Sequence, residues 1–468
     1  MPSADQTRTT QQPLALAMGL LAFIVFVAFA PALRNDFLYW DDNIYTFQEP
    51  LVTDGASATL MKIFRSSHHG NYYPITLASF WIEYRIAGMT PAVYHLTNVL
   101  LHVINALLCF RLLRLIVGNM TLAWLAALLF AVHPLRVEAV AWISARKDLL
   151  AALFYLSAMV TYLRTSERRG IGGHLLVFVL HACALMSKGT AVTLPVALLL
   201  LDFQQRRPFS TALILKKVPL FALSIAFGLV AVHFQREIGA TNSGLPSMTL
   251  YQRLSISSFA GLFYLGKTFI PTNLSAFYLY PLTEEFKLPP WFALLPLAII
   301  PVLGVMLILW RNHRTAFFGV AFFAVAIAPV LQFLSVGAAI AADRYTYLPG
   351  IGLTLAIVVL LDAATRHARP LLLAVALLLI VPTTLRITVW RDTESLMSDQ
   401  LRKFPTSVFA WNDRGVARMA RGLLAEAYGD YSVALLLRPS DPDAADNLAR
   451  AWLLLQGHGD SPVTTLTP

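Results

Sequence analysis

Two adjacent carboxylates are the first residues in this chain whose types and spacing could do chemistry. Asp41 and Asp42 stand in the stretch FLYWDDNIY, directly after the first long apolar segment. A carboxylate positioned at a membrane edge can act as a general base that takes a proton from an attacking hydroxyl. Two carboxylates near low-dielectric lipid also raise each other's pKa, which makes one of them a better base. The alternative interpretation is a solvated loop or an Asp that caps a helix N-terminus.

Four cations lie in short polar stretches between later apolar segments. Fixed cations stabilise a leaving group that gains negative charge as its bond breaks, and a phosphate is such a group. Arginine suits bidentate contact with a phosphate, whereas lysine acts as a point charge. The alternative is that the side chains only reach toward lipid headgroups. The candidates are Arg146, Lys147, Lys188 and Arg344.

Polar residues also recur at helical spacing inside one apolar segment. His95, Asn98 and His102 are three and four residues apart, so they share one face of a helix, and Asn105 extends the stripe. Such a face either lines a site or ties helices together by hydrogen bonds.

Further candidates surround the cationic stretch. His133 and Glu138 flank a proline at a helix end, and Glu138 and Asp148 are reserve candidates for the base or for holding Arg146. The sequence has no His/Cys cluster with zinc spacing and no glycine-rich phosphate loop. Two carboxylates could hold a divalent cation, so the Asp41–Asp42 pair is the candidate metal site.

The composition indicates a polytopic membrane protein. Of 468 residues, 57% are hydrophobic and only 13% are charged, whereas soluble domains carry about a quarter charged residues. The net charge of +10 lies mostly in short loops between apolar runs, which is typical of positive-inside bias rather than of nucleic-acid binding. Both cysteines, Cys109 and Cys183, lie inside apolar segments, so no disulfide framework is indicated.

The apolar runs predict an all-α fold with about eleven transmembrane helices. The first run, 14–33, has the length of a retained signal anchor. Segment 254–270 is apolar enough to span, but if it did, the basic loops that follow it would lie on the outer side. We therefore predict a buried or interfacial helix there. The other predicted spans are 93–117, 119–134, 148–164, 173–188, 189–203, 216–234, 291–310, 315–336, 349–365 and 370–388.

Loop charges predict the orientation. The basic loops are consistent with one another only if they and the N-terminus are cytoplasmic. The first loop, 34–92, then lies on the outer side with its paired carboxylates, and the polar candidates after it gather on the same side. Polar groups at membrane depth are candidates for functional sites. Hydropathy falls after Trp390, which divides the chain into a membrane domain, 1–390, and an outer tail, 391–468.

The tail matches the signature of a tetratricopeptide repeat. Pro405 lies 34 residues before Pro439, which is the period of that repeat. Small residues are expected where two antiparallel helices approach closely, and large ones between helix pairs. The alternative is an ordinary helical hairpin. The signature positions are Trp411, Gly415, Ala427, Tyr431, Ala434 and Pro439.

Taken together, these motifs resemble the transmembrane and tetratricopeptide-repeat protein O-mannosyltransferases and their bacterial relatives, in the GT-C class of membrane glycosyltransferases. The most specific stretches are YHLTNVLLH, AVHPLRVEAVAWISARKDLLAALF and DRYTYLPGIG. The chain departs from animal members at Tyr72-Tyr73-Pro74, where they read Tyr-Arg-Pro, and at Lys188-Gly189, where they read Lys-Glu. Their repeat arrays are also longer.

The resemblance implies transfer of a sugar from a polyprenyl or dolichyl phosphate to a hydroxyl, such as a protein Ser or Thr, with inversion and on the non-cytoplasmic side. It places the catalytic acid in the first outer loop and favours Asp42 over Asp41. Tyr72, Tyr73 and Tyr345 become further site candidates. The family implies mannose, and the short tail points to a bacterial inner membrane rather than the endoplasmic reticulum.

Two other function classes compete. A transporter or lipid flippase also has many spans and charges at membrane depth, but here the charges cluster on one face and the spans show no internal repeat. A membrane-anchored repeat adaptor is the other class, but that function does not account for the paired carboxylates or the DRYTYLPG stretch.

Overall fold

The computed structural model describes residues 4–55, 59–68, 70–165, 171–237, 248–281, 288–333 and 339–457. The predicted all-α fold class is confirmed, because this part of the chain is almost entirely helical. Its α-helices are Ala4–Phe29, Asp42–Tyr45, Pro50–Thr53, Leu60–Arg65, Pro74–Ala87, Pro91–Val117, Met120–Ala131, Val137–Ala141, Arg146–Thr165, Ile171–Ser187, Leu194–Gln204, Thr211–Leu215, Val218–Glu237, Leu250–Phe269, Ile299–Asn312, Arg314–Ile327, Gly350–Ala364, Ala368–Val389, Thr393–Lys403, Val408–Ala420, Leu424–Leu437 and Pro442–Leu455. Its 3-10 helices are Ala30–Arg34, Pro134–Arg136, Ile143–Ala145, Gly189–Thr193, Pro290–Ala298, Ala328–Val330 and Asp343–Thr346.

Within the described residues, each predicted apolar segment coincides with a helix or a broken pair of helices, and residues 334–336 of the predicted span 315–336 lie outside them. By length and composition, five helices in the described ranges could cross a membrane, or six if one pair bent by 60° forms a single span. The prediction of about eleven spans therefore also requires the shorter apolar helices to cross. The five are Gln12–Arg34, Pro91–Val117, Thr211–Phe234, Pro290–Asn312 and Ala368–Val389, and the bent pair is Met120–Ala131 with Pro134–Ala141.

Hydrogen bonds from the polar stripe tie the Pro91–Val117 helix to its neighbours. His102 Nδ1 lies 2.7 Å from the Tyr347 hydroxyl, and Nε2 lies 3.0 Å from a backbone carbonyl of the next helix. Asn105 donates to the Leu149 carbonyl at 2.9 Å and to the Tyr347 hydroxyl at 3.2 Å. A buried polar group left without a partner costs about 1–3 kcal/mol, so these bonds hold the helices in place. His102 thus has the helix-tying role.

A close glycine contact fixes the segment before the Gly350–Ala364 helix. This helix crosses Arg314–Ile327 where Gly352 meets Gly319. A Cβ on Gly352 would lie 2.2 Å from the Gly319 carbonyl oxygen, and a Cβ on Gly319 would lie 2.4 Å from the Gly352 carbonyl oxygen. Only glycine allows the two backbones to approach so closely. The contact places the preceding turn, Asp343–Thr346, over the end of the bundle.

Two short antiparallel strands hold the other side of that turn. Tyr278–Leu279 pairs with Ala339–Ala341, with Tyr278 opposite Ala341 and an irregular step at the next residue. The Tyr278 hydroxyl donates to Asp343 Oδ1 at 2.8 Å. The turn is therefore fixed at both ends, by the strand pair and by the glycine crossing.

The Leu250–Phe269 helix, which covers the segment predicted to be buried or interfacial, has two different faces. Its buried stripe contains Ile256, Ala260 and Tyr264 and contacts the Pro290–Ala298 turn. Leu262 and Phe269 are exposed on the opposite side. The helix is not among the five long apolar ones, and its place relative to a bilayer stays a prediction.

The tail forms antiparallel helices, and the predicted small-to-large contact is present between two of them. A Cβ on Gly415 would lie 2.6 Å from the Tyr431 ring, and Ala427 and Tyr431 are fully buried. The assignment to tetratricopeptide repeats stays a prediction. Residues 458–468 of the predicted tail region lie outside the described residues.

The tail packs directly on the membrane domain. Arg386 donates to Asp399 at 2.6 Å, and the backbone N–H of Tyr39 donates to the Thr393 hydroxyl at 2.8 Å. The tail therefore contacts the first loop within two residues of the paired carboxylates.

Candidate active site

Asp42 is fully buried, and both of its carboxylate oxygens accept hydrogen bonds. Oδ1 accepts from the Ser144 N–H at 2.8 Å and from the Ser144 hydroxyl at 2.5 Å, while Oδ2 accepts from the Leu38 N–H at 2.9 Å. Burial raises the pKa of Asp42 to about 7, and the hydrogen bonds from Ser144 and Leu38 oppose that rise. With no exposed surface, this side chain braces the loop against the turn that contains Ser144.

Asp41 has the opposite character. It is partly exposed, and its side chain makes no hydrogen bond within the described chain, including no helix-capping bond to the short Asp42–Tyr45 helix. Its backbone is left-handed, with φ 65° and ψ −28°. This conformation is uncommon for residues other than glycine and costs of order 1–3 kcal/mol, and such residues cluster at functional sites. Of the two carboxylates, Asp41 is the one that a substrate can reach.

Lys147 lies in an aromatic cage that includes Tyr45, whose backbone N–H donates to the Asp41 carbonyl at 3.1 Å. Its Nζ is 4.8 Å from the centroid of the Tyr45 ring, 5.7 Å from that of Tyr73 and 5.6 Å from that of Trp142. Cation–π contacts hold an ammonium group without using its hydrogen-bond donors. Among the described residues it makes no hydrogen bond or ion pair, and Asp41 is the acidic group that most stabilises its charge.

Two further cations reach the same cluster, each held by an acidic partner. Glu138 accepts from the Arg344 backbone N–H at 2.7 Å and also pairs with the Arg344 guanidinium. Lys188 Nζ donates to Asp148 Oδ1 at 2.5 Å. The Tyr345 ring lies under both cations, 5.2 Å from Lys188 Nζ and 4.9 Å from the Arg344 guanidinium carbon. These pairs orient the cations and leave some of their donors free.

An open cavity adjoins these cations. Its empty volume is about 440 Å³. Asp148, Lys188, Arg344 and Tyr345 form its polar wall, and the rest of the lining is largely apolar. One oxygen of Asp148 is buried without a hydrogen-bond partner. A cavity with cations on one wall and apolar side chains on another suits a molecule with an anionic head and a greasy tail.

Arg146 is separate from this cluster, although it precedes Lys147 directly. Its Nε donates to Asn98 Oδ1 at 2.8 Å, a second nitrogen donates to the Tyr94 carbonyl at 2.8 Å, and a third pairs with Glu83. The guanidinium also lies over the Phe80 ring. It is fully buried, so we remove it from the predicted phosphate-binding set.

The two remaining histidine candidates are also structural. His95 Nε2 lies 3.4 Å from the Asp36 carbonyl oxygen. His133 Nε2 lies 3.0 Å from the Thr268 carbonyl oxygen, and its Nδ1 accepts from the Leu135 N–H. Both are buried, and neither reaches the cationic cavity.

The two tyrosines of the first loop differ. The Tyr73 ring belongs to the Lys147 cage, and its hydroxyl donates to Asn71 Oδ1 at 2.6 Å. Tyr72 turns away, because its hydroxyl donates to the Phe64 carbonyl at 2.9 Å. Only Tyr73 joins the site.

Several residues of the site were not predicted. Ser144 anchors Asp42, Trp142 and Tyr45 cage Lys147, and Glu83 occupies Arg146. Trp142 stacks on Trp40 at 4.7 Å between centroids, which joins the first loop to the turn before Lys147. In the sequence, these residues stand in the same aromatic and polar stretches as the predicted candidates. Such stretches do not show which residues far apart in the chain come into contact.

The two carboxylates do not combine into an evident metal site. Within the described part of the chain, no group of three or more His, Cys, Asp or Glu side chains is placed to hold a metal ion. Both oxygens of Asp42 are engaged by protein donors, which leaves Asp41 as the available ligand of the pair.

Comparisons with known proteins find one family model and several curated relatives that are similar to this chain. A family model described as dolichyl-phosphate-mannose-protein mannosyltransferase matches residues 71–234. This interval contains Tyr73, Lys147 and Lys188 and excludes Asp41 and Arg344.

Curated relatives extend the similarity along the chain. Protein O-mannosyl-transferase F38B6.6 of Caenorhabditis elegans is 26% identical over 450 residues, which cover 90% of this chain and 62% of that protein. Protein O-mannosyl-transferase Tmtc1 of Drosophila melanogaster is 33% identical over 177 residues, 36% of this chain and 21% of that protein. Protein O-mannosyl-transferase TMTC1 of Homo sapiens is 31% identical over 198 residues, which cover 38% of this chain and 22% of that protein.

The chain spans less than two thirds of the length of each of these relatives. These matches nevertheless cover up to 90% of this chain. They confirm the resemblance predicted from the motifs: this chain is similar to the protein O-mannosyltransferases of the transmembrane and tetratricopeptide-repeat type.

Proposed function

We propose that this chain is an inverting membrane glycosyltransferase that transfers a mannosyl group from a polyprenyl or dolichyl phosphate to a protein Ser or Thr hydroxyl on the non-cytoplasmic side. One observation carries the proposal. Asp41, a carboxylate without a side-chain hydrogen bond in the described chain, and Lys147 both contact Tyr45, and Lys188 and Arg344 carry the positive charge on to the cavity. A base and a phosphate-binding group are the two parts that this reaction requires.

Asp41 would act as the general base. As the acceptor oxygen bonds to the anomeric carbon, the bond from that carbon to the phosphate oxygen breaks, and the hydroxyl proton passes to the Asp41 carboxylate. Attack from the face opposite the phosphate inverts the anomeric carbon. The family resemblance favoured Asp42, but the buried and fully hydrogen-bonded state of Asp42 supports Asp41 in this role.

Lys147, Lys188 and Arg344 would stabilise the leaving phosphate. The phosphate gains negative charge as the sugar departs, so cations already in place stabilise the transition state more than the ground state. Glu138 and Asp148 hold Arg344 and Lys188 in position, and the cage of rings leaves the Lys147 ammonium donors free. Little reorganisation is then needed during the reaction.

A neighbouring apolar groove supports a polyprenyl carrier. Its empty volume is about 1070 Å³, and it lies between Leu250–Phe269 and the two helices Ile299–Asn312 and Arg314–Ile327. Phe323 and Ile327 face this groove, while Ala326 of the same helix faces the cationic cavity. An isoprenoid chain lying in the groove would place its phosphate near the cations.

The tail would influence which acceptor is used. The Phe409 ring of the Val408–Ala420 helix lies 6.5 Å from the Trp40 ring, next to Asp41. An acceptor polypeptide approaching Asp41 would therefore meet the tail. The positive loops predict that this side lies outside the cytoplasm, and a bacterial inner membrane stays the predicted location.

The direct test is transfer by the purified full chain. Polyprenyl-phosphate mannose labelled in the sugar is the donor, and Ser/Thr peptides are the acceptors. Glycans missing from exported proteins of a deletion strain would guide the choice of both. Asp41→Asn should lower transfer by about 10²–10⁴-fold, because the amide cannot take the proton while asparagine still tolerates a left-handed backbone.

Asp36→Asn is the matched control, since Asp36 is an exposed carboxylate of the same loop. It should retain transfer. Full transfer by a folded Asp41→Asn protein would remove Asp41 from the reaction. Absence of transfer by the unaltered chain with every polyprenyl-phosphate sugar would overturn the proposed function itself.

A further inference from the structure

A second buried charge cluster lies where the proposed reaction does not use it. Asp202 is fully buried and accepts hydrogen bonds from the Tyr162 hydroxyl at 2.6 Å, from Arg207 at 2.8 Å and from Lys217 Nζ at 2.8 Å. Lys217 also lies over the Tyr162 ring, 4.6 Å from its centroid. The carboxylate is thus satisfied by three donors, two of which are cationic.

This cluster lies at the opposite end of the bundle from the candidate active site. Tyr162 is near the end of the Arg146–Thr165 helix, and Lys147 is at its start. The 15 residues between them (162 − 147) correspond to about 22 Å at 1.5 Å per residue. That separation is comparable to most of the hydrocarbon thickness of a bilayer, so the two clusters face different leaflets.

A cavity opens beside the second cluster. Its empty volume is about 770 Å³. Tyr162, His174, Lys216 and Lys217 line its polar part, whereas the rest of its wall, including Leu175 and Phe178, is mostly apolar. The wall continues onto the exposed face of the Ile171–Ser187 helix, where Leu175 and Leu176 are 59% and 48% exposed. The cavity therefore joins a polar end to a surface that lipid chains can cover.

The polar end of this cavity has an excess of positive charge. Arg207 and Lys217 together carry two positive charges against the single negative charge of Asp202. Lys216 adds a third positive charge, is exposed, and makes no ion pair with the described part of the chain. Within the described part of the chain, these four side chains carry a net charge of +2, which favours an anionic occupant.

We propose that this cavity binds an anionic phospholipid of the surrounding bilayer. The phosphate would contact Lys216 and the outer side of Lys217, and an acyl chain would lie along Leu175 and Phe178. Basic pockets between membrane helices recognise anionic headgroups through this combination of charge and apolar surface. A zwitterionic lipid offers the same chains without the net charge, so selectivity would come from the cationic end.

The experiment uses the full chain reconstituted in phosphatidylcholine with and without phosphatidylglycerol. Thermal unfolding and the lipids that remain bound during native mass spectrometry are the two readouts. Phosphatidylglycerol should raise the unfolding temperature and be retained selectively. Lys216→Glu should weaken that binding by about tenfold or more, because it replaces an attractive charge with a repulsive one.

Lys216→Arg should preserve the lipid effect, and Lys62→Glu, at an exposed lysine of the first loop, should leave it unchanged. These controls separate a local site from a general change in net charge. Equal retention of phosphatidylcholine, equal stabilisation by inorganic phosphate alone, or phosphatidylglycerol binding unaffected by Lys216→Glu would each overturn the proposal. None of these outcomes depends on the sugar-transfer reaction.

Discussion

The two ends of the Arg146–Thr165 helix bury charge in different ways. At the end near Tyr162, Asp202 accepts hydrogen bonds from two cations and a hydroxyl, so its negative charge is fully engaged inside the protein. At the other end Lys147 has no ion pair among the described residues, and one oxygen of Asp148 has no partner. Charges that satisfy each other stabilise the fold, whereas charges left incompletely satisfied beside a cavity are available to a ligand.

The same contrast appears between two adjacent residues. Arg146 is enclosed by Asn98, Tyr94 and Glu83, whereas Lys147 is surrounded by aromatic rings and makes no ion pair with the described residues. Neighbours on a helix point about 100° apart. A single step along the chain therefore separates a structural cation from one that can bind a phosphate.

The largest expected effect comes from a substitution of Asp202, which disrupts its cluster with Arg207 and Lys217. Asp202→Asn should lower the free energy of unfolding by about 3–5 kcal/mol, because the buried ammonium of Lys217 loses its acidic partner. Chemical unfolding in detergent, followed by intrinsic fluorescence, measures the change. The double variant Asp202→Asn with Lys217→Met should recover part of the loss. A double variant less stable than Asp202→Asn would contradict the view that these charges mainly neutralise each other.

The next largest expected effect concerns Lys147, at the end of the helix near the candidate active site. Lys147→Gln should lower sugar transfer by about 10²–10³-fold, as expected when one group that stabilises a developing charge is removed. Its free energy of unfolding should change little, because the lysine has no ion pair within the described chain to lose. Transfer kinetics and unfolding are measured on the same preparations, with Lys62→Gln as the control. A large loss of stability with unchanged kcat would assign Lys147 to the fold instead.

A third prediction concerns the helix crossing that positions Arg344. Gly352→Ala should destabilise the protein by about 1–3 kcal/mol, since the added Cβ would overlap a backbone carbonyl that cannot move independently. Gly304→Ala is the matched control, because a Cβ there meets no atom within 4 Å. Unfolding midpoints of the two variants provide the comparison. Equal midpoints would mean that the crossing relaxes without cost.

A fourth prediction uses pH to examine Asp42. Its pKa is raised from 3.8 to about 7 by burial, so the folded state binds this proton more tightly than the unfolded state does. The contribution of Asp42 protonation to the free energy of unfolding is complete below pH 3.8 and is lost as pH rises from about 4 through about 7. Over this range the free energy of unfolding falls by up to about 1.4 kcal/mol per pH unit.

The difference between the unaltered chain and Asp42→Asn isolates this contribution to the pH dependence. Burial also raises the pKa of Asp343 and of Asp413 to about 7, and both groups remain in the variant. Unfolding measured across pH 4–8 should therefore be flatter for Asp42→Asn. Parallel curves would show that Asp42 does not take up a proton in the folded protein within this range.

The smallest effect has the opposite sign. Asp41→Gly should stabilise the protein by about 1 kcal/mol, because glycine adopts the left-handed backbone without strain. It should also abolish transfer. Calorimetry and the transfer assay together test whether strain at Asp41 is kept for function. A destabilised Asp41→Gly protein would show that the carboxylate supports the fold.

Much of the fold could be predicted from the sequence. Long apolar runs have few alternatives to helices in a membrane, because each backbone polar group needs a partner inside its own segment. The segment 93–117, for example, became the Pro91–Val117 helix. One polar helix face could also be identified: His102 and Asn105 share a stripe whose hydrogen bonds hold neighbouring helices together.

The candidate site was only partly predictable. Local sequence indicated that carboxylates and cations lay at one end of the bundle, but it did not separate Asp41 from Asp42 or Arg146 from Lys147. Those distinctions depend on contacts with residues far along the chain, such as Ser144 with Asp42 and Glu83 with Arg146. Side-chain direction and the choice of partner are set by packing, which no short motif encodes.

By itself, the amino-acid sequence determined the helical character of this protein, the apolar segments and the types of charged residue available for chemistry, because these follow from local hydropathy and residue type. The tertiary structure alone decided which charges are satisfied and which remain open to a ligand. The reason is that a charged side chain in low dielectric is stabilised by groups within a few ångströms in space, and those groups come from distant parts of the chain.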